Sequence, residues 1–319
     1  MARHIFARLV GILALWLFWI GSPIVAVEQA PAVAVIYPDL QDPYRVVLSS
    51  VIDGIQEQSK LPIKLFPLEE DYNRTQLKES ITHGHFATII ALGRTGLSAV
   101  QTWRGEIPIV AGALLLNPEK NERGLSGISL AADPEMLFAR LEQLAPSVKR
   151  VHAVYSPESS EWLIQLARSA ASKRNFQFIA YQSEDIKSSA LIYRDILNKY
   201  RPGEDAIWLL PDPVAVDDKV ILPLLLKSAW EDSVLIFSSN PAHVKRGALF
   251  ALFPDNESMG RSLAKMAEIY ATRDGENTNS KIVPLRDVQA AINVRTAEHI
   301  GLFISDEQRR NFTLIFPAP

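Results

Sequence analysis

From Val33 onward the chain repeats one unit: a short apolar run, a polar break, then a longer segment with apolar residues three and four positions apart. VAVIY (Val33–Tyr37), IKLFPL, ATIIALG (Ala87–Gly93), IPIVAGAL, RVHAVYS, FQFIAYQ, DAIWLLP, VLIFSS and ALFALF are the short runs. Val47, Leu48, Val51, Ile52 and Ile55 stand at helical spacing, as do Leu137, Leu141 and Leu144, and Met259, Leu263, Met266 and Tyr270. Buried strands alternating with helices of about 10–15 residues require crossover connections, and so predict parallel sheets built from βαβ units. Up to ten strands are countable, too many for one ordinary sheet, and they divide near Ala131-Ala132. The fold class is therefore α/β, with two doubly wound parallel-sheet lobes of similar build.

Local signals place several breaks. Asp133-Pro134-Glu135 combines a capping residue, a first-turn proline and an acid facing the helix dipole. Asp212-Pro213 precedes a helix expected to run through Val220, Leu224 and Trp230. The stretch Ser233–Ile269 reads as strand, short helix closed by Gly247, strand and long helix, with Asp255 as the cap of the last. Passage of the chain across Phe253-Pro254-Asp255 suits a crossing between lobes, and with Ala131 these residues are the expected hinge. The lobes are then 31–131 with 254–275, and 132–253 with 282–319.

Composition narrows the class. With 319 residues the chain is long enough for two domains with their own cores. A net charge of −3 from 33 basic and 36 acidic residues argues against nucleic acid as a partner. The absence of cysteine excludes disulfides, thiolate chemistry and a cysteine-linked lipid anchor. Arg3, His4 and Arg8 precede the apolar run LVGILALWLFWIG, so residues 1–26 read as a secretory signal cleaved after Ala26, or alternatively as a retained anchor. An exported, disulfide-free chain of this size suits the bacterial periplasm.

Open parallel sheets bind ligands beyond the carboxyl ends of their strands. That rule selects Tyr37-Pro38-Asp39, Gly93-Arg94-Thr95-Gly96 and Leu116-Asn117-Pro118 in the first half. In the second it selects Ser156–Ser159, Pro211-Asp212-Pro213 and Ser238-Ser239-Asn240. The loop from Gly93 to Gly96 offers backbone N–H groups, a hydroxyl and a guanidinium to a carboxylate, while Thr95 and Ser156 alternatively only cap their helices. Catalytic signatures are missing: there is no GxSxG, HExxH, GxxxxGK[ST] or GxGxxG. Ser262 and Lys265 match SxxK only by chance, and His83 with His85 has no further metal-ligand pattern. Trp103, Trp162, Trp208 and Trp230 read as core.

The ordered segments ATIIALGRTGLSAVQ, IPIVAGALLLNP, GLSGISL, LAPSVKRVHAVYSPESS, DAIWLLPDPVAVD, the stretch from Val234 to Ala267, and INVRTAEHIGL resemble the bacterial ABC transporter substrate-binding proteins of the tryptophan/tyrosine type. That resemblance implies a type I periplasmic binding protein fold that takes a small solute between hinged lobes and delivers it to a membrane permease. It places Thr95, Gly96, Asn117, Ser156, Asp212 and the Phe253–Asp255 crossing around the cleft. Arg94-Thr95-Gly96 stands where the family usually has Thr-Pro, and Asn117-Pro118 where it has Asp-Pro. The expected function is thus a non-enzymatic, monomeric periplasmic solute-binding protein of an ABC-type uptake system, for an amino acid or small organic anion. Tyr37, Asp39, Arg94, Thr95, Gly96, Asn117, Ser156, Asp212, Ser239 and Asn240 are its candidate ligand-binding residues, with Asp212 for an amine or hydroxyl and Arg94 and Thr95 for a carboxylate. No cofactor is expected, and the partners are the solute and an ABC permease or other inner-membrane protein. The rival reading is a sensory or interaction protein of the same fold that signals to a membrane receptor.

Overall fold

The computed structural model describes residues 31–120, 125–271 and 281–317. The signal segment 1–26, residues 272–275 of the first lobe's return segment and residues 318–319 lie outside them. Among the described residues no helix is long and apolar enough to cross a membrane.

The first sheet is built from β1 (Ala32–Pro38), β2 (Ile63–Leu68), β3 (Phe86–Leu92), β4 (Ile109–Leu114), β5 (Leu125–Ala132) and β11 (Ile282–Leu285), in the order β11-β5-β4-β3-β1-β2. Every pairing within it is parallel. Side-chain alternation along a strand sorts the runs onto two faces. Val33 and Val35 of β1 pack under α1 (Tyr44–Gln58) and α9 (Asn256–Ala271), while Ala34 and Ile36 face Leu77 and Ile81 of α2 (Arg74–Thr82). α1 and α9 cross closely because glycines meet there: a Cβ on Gly54 would lie 2.0 Å from the Glu257 carbonyl oxygen, and one on Gly260 2.0 Å from that of Val51.

The second sheet holds β6 (Arg150–Tyr155), β7 (Gln177–Gln182), β8 (Asp205–Leu209), β9 (Ile236–Ser238), β10 (Phe250–Pro254), β12 (Val288–Asn293) and β13 (Leu314–Phe316), in the order β13-β12-β10-β9-β8-β6-β7. Its helices are α4 (Pro134–Leu144), α5 (Pro157–Lys173), α6 (Ile186–Asn198), α7 (Ile221–Glu231), α8 (Pro241–Arg246), α10 (Val294–His299) and α11 (Asp306–Arg309). One face buries Phe138, Trp208, Phe237 and Phe250, with Phe138 edge-on to Trp208 at 5.7 Å and Phe237 stacked on Phe250 at 5.1 Å. Such pairs add about 0.5–1.5 kcal/mol each beyond the area they bury.

Four local expectations are corrected. The helix expected directly from Asp212 starts only at Ile221, because Pro223 is tolerated in a first turn and would break a helix already under way. The helix after Gly93 is the short α3 (Gly93–Ala99), followed by a 3-10 turn, so Thr95 lies inside it rather than capping it. Trp230 is 47% exposed; its ring stacks on His299 at 4.0 Å and carries Arg295 above it. Residues 282–319 do not all join the second lobe, since β11 pairs with β5 in the first sheet.

The chain passes between the sheets three times: at Asp133 after β5, at Asp255 after β10, and at Arg286-Asp287 between β11 and β12. The third passage brings β12 in antiparallel to β10, the one such pairing among the described strands. The three passages bind one another. The Asp133 N–H donates to the Leu285 carbonyl at 2.8 Å, the Asp255 N–H to that of Asp287 at 2.9 Å, and Arg286 Nη1 to Asp133 Oδ2 at 2.9 Å. Asp133 and Asp255 also cap α4 and α9 through Glu135 N–H and Ser258 N–H. Ala131 lies two residues before the first passage, inside β5.

At the far end of the second lobe, a buried Asp205 carboxylate is forked by Arg150, and the His152 ring, only 8% exposed, stacks on Tyr181 with Nε2 3.6 Å from Asp205. Burial holds the His152 pKa below its ordinary 6.5 despite the nearby Asp205 charge, and burial lowers His243 likewise. The folded state thus binds protons on these rings less readily than the unfolded chain. Their contribution to stability is complete above pH 6.5 and is lost as the pH falls through their folded values. The melting temperature is expected to hold between pH 8 and 7 and to decline from about pH 6.5. The double change His152→Gln/His243→Gln should flatten that decline; an unaltered slope in the variant would show that other groups cause it.

Candidate functional site

The carboxyl ends of β3 and β4 in the first sheet and of β6 and β8 in the second converge on a cavity of about 360 Å³. Sites for small molecules span roughly 300–1,000 Å³, so this volume fits a compact solute. Arg94, Leu115, Leu116, Asn117, Lys120, Ser129 and Ala131 line it from the first lobe, and Ser159, Ser160, Trp162, Leu163, Pro211 and Pro213 from the second. Among the described residues, the wall contains two cations and no carboxylate. Arg94 is exposed, while Ser129 is committed to the Leu116 carbonyl at 2.9 Å.

The two lobes touch across one rim of this cavity. Asn117 Nδ2 donates to the carbonyl oxygens of Glu158 at 3.2 Å and Ser159 at 3.3 Å, in the first turn of α5. Lys120 Nζ pairs with the Glu158 carboxylate. Asn117 is therefore bonded to the opposite lobe, with its Oδ1 accepting from the Glu119 N–H at 2.9 Å.

Asp212 is not in the wall. It is 2% exposed, and both oxygens are taken by its own lobe. Oδ2 accepts from the Ser156 N–H at 2.8 Å and the Ser160 hydroxyl at 2.9 Å; Oδ1 accepts from the N–H groups of Val214 at 3.0 Å and Ala215 at 3.1 Å. With every bond directed to the protein, the carboxylate fixes the start of α5 against the loop after β8, in place of the expected ligand contact. Tyr193 is fully buried nearby with its hydroxyl unpartnered, and burial, then the Asp212 charge, push its pKa upward. Ser156 is the N-cap position of α5, but its carbonyl rather than its hydroxyl takes the Ser159 and Ser160 N–H groups.

The remaining expected residues are dispersed. Gly96 is buried against β1, where a Cβ would come 2.5 Å from the Ile36 carbonyl oxygen, so its role is close packing. Thr95 within α3 and Asp39 just after β1 are exposed and Tyr37 in β1 is half-buried, and all three lie outside the wall of the cavity. Asn240 caps α8 through the Ala242 N–H at 2.9 Å, and the Ser239 hydroxyl is buried without a partner. Of the loops that the strand-end rule selects, Arg94, Leu116, Asn117, Ser159, Pro211 and Pro213 line this cavity, and Leu115, Lys120 and Trp162 line it as well. Lys120 and Trp162 lie just past the ends of the selected loops, and nothing in their spacing marks them.

Two parallel-sheet lobes, three passages between them and a cavity at facing strand ends make this the type I periplasmic binding protein fold. The chain belongs to the ABC transporter substrate binding protein family, whose family model matches residues 76–310. Among solved structures, the ligand-free, open CD0873 of Clostridium difficile, a substrate binding protein with adhesive properties, is similar with a TM-score of 0.62 at 13% identity, over 90% of this chain and 100% of that one. The ABC domain from Streptococcus pneumonia, solved in complex with L-Trp, matches with a TM-score of 0.53 at 16% identity, over 90% and 100%. A conserved domain protein of Vibrio cholerae gives 0.53 at 18% identity, over 89% and 99%. At these identities the likeness is one of fold. No curated protein sequence matches the chain.

Proposed function

We propose that this protein is a periplasmic, non-enzymatic solute receptor of an ABC-type uptake system that takes a small organic anion in the interlobe cavity. The observation that carries the reading is the wall itself, whose described residues offer Arg94 and Lys120 but no carboxylate. A guanidinium fork matches a carboxylate in geometry and charge. An amino acid would also need an anion or several acceptors for its ammonium group, and Asp212, the residue expected to supply one, has both oxygens occupied. Leu115, Trp162, Pro211 and Pro213 suit the apolar body of such a ligand. Arg94 takes the carboxylate, because Lys120 is already paired with Glu158.

The three passages at Asp133, Asp255 and Arg286-Asp287 serve as the hinge. Ligand contacts made to both lobes favour the closed state by their differential affinity, and the closed lobes present the solute to a permease. The apolar N-terminal segment carries the chain across the inner membrane.

A calorimetric titration of small carboxylates and amino acids tests this, with solution scattering of the free and loaded protein. A carboxylate without an ammonium group should bind and compact the protein. Arg94→Gln should weaken that binding about tenfold or more and leave the melting temperature unchanged, since Arg94 is exposed. Preferential binding of amino acids, or unchanged affinity in Arg94→Gln, would refute the assignment.

A further inference from the structure

We propose a second anion-binding site in the second lobe, in an open cavity of about 430 Å³ between α4, the start of β12 and the chain before β13, with Arg140 as its anchor. Three guanidinium groups line this cavity, from Arg140, Arg174 and Arg286. Two of them are balanced: Arg174 Nη1 meets Glu142 at 2.8 Å, and Arg286 meets Asp133 at 2.9 Å. Glu135, the one acid among the described residues of the wall, is taken by Lys173 at 3.2 Å. Arg140 has no hydrogen-bond or ion-pair partner among the described residues. Its guanidinium carbon lies over the Phe312 ring, 5.2 Å from the centroid.

A half-buried guanidinium without an anion carries an unmet desolvation cost. Burial alone lowers the Arg140 pKa, with no acidic group opposing it. Arg174 adds a second unmet donor, because its Nε is buried with no partner among the described residues. Gln143, Gln289 and Thr313 supply neutral polar groups around the same space. One uncompensated cation, a buried free donor and neutral amides make a site for a compact anion that carries a carboxylate or phosphoryl group, whose oxygens match the guanidinium fork. The cavity shares none of its lining residues with the interlobe cavity, so its ligand is separate from the transported solute.

The test is calorimetric titration with citrate and, separately, inorganic phosphate, which distinguishes a carboxylate from a phosphoryl ligand. It is run in the Arg94→Gln background, so that binding in the cleft does not dominate the signal. One of the two anions should bind at one equivalent, and adding Arg140→Met should weaken that binding about tenfold or more. Arg140→Met keeps an apolar side chain against Phe312; Arg140→Lys keeps the charge but loses the fork, and should also bind more weakly. Far-ultraviolet circular dichroism and the melting temperature check that both variants fold. No binding of either anion in Arg94→Gln, or equal binding after both Arg140 changes, would overturn the assignment.

Discussion

Replacing Asp212 by alanine is expected to destabilise the protein by about 3–5 kcal/mol, measured as a shift of the urea midpoint at unchanged slope. The carboxylate accepts four hydrogen bonds at 2.8–3.1 Å from Ser156, Ser160, Val214 and Ala215, all within a site that is 2% exposed. An unsatisfied buried donor costs about 1–3 kcal/mol, and the Ser160 hydroxyl can rotate towards another acceptor, so the four losses do not simply add. Asp212→Asn should cost about half as much, because its amide NH2 turns one acceptor into a donor facing donors. The competing role, a direct ligand contact, predicts the reverse pattern: lost affinity with stability retained. A midpoint within error of the wild type would sink the structural assignment.

The second large effect belongs to the α1–α9 crossing. A Cβ added at Gly54 would lie 2.0 Å from the Glu257 carbonyl oxygen of α9, and one at Gly260 2.0 Å from the Val51 carbonyl oxygen of α1. From helix propensity alone, Gly→Ala in a helix interior should stabilise by roughly 1 kcal/mol. Here the obstacle is backbone, which has no rotamer to escape into, so the helices must part and loosen the apolar layer over β1, β3 and β4. Gly54→Ala and Gly260→Ala are each expected to cost about 3 kcal/mol net, at the upper end of overpacking penalties. At roughly 2–4 °C per kcal/mol, the melting temperature falls by about 10 °C. The double variant should cost less than the sum, since the first change already opens the gap needed by the second. A rise in melting temperature for either single variant would mean that propensity outweighs the clash.

These two sites mark the limit of what spacing alone can say. Asp212 sits in a loop at a strand's carboxyl end, where an acid reads as a ligand contact, and its sequence neighbours give no sign that Ser156 and Ser160 come from 56 and 52 residues away to saturate it. Gly54 stands between Ile52 and Ile55 of a helix, where helix propensity alone disfavours a glycine; its reason is Glu257, on a helix from the far side of the chain. Arg94 and Asn117, which the strand-end rule selects because it depends only on where strands stop, both line the interlobe cavity. What each does was not legible, since Asn117 bonds to the other lobe while Arg94 stays open to solvent.

By itself, then, the order of residues determined the alternation of strands and helices, the two-lobed α/β class and the loops at the strands' carboxyl ends. These follow from periodicity and capping, which are local. Tertiary structure alone decided that β11 joins β5 rather than the second lobe, that Asp133, Asp255 and Arg286 are tied together where the lobes join, and that the cavity wall holds cations without an acid. A short strand such as Ile282–Leu285 has the same local pattern in either sheet. Its place is set by which edge has unpaired backbone groups within reach, and that depends on the rest of the folded chain.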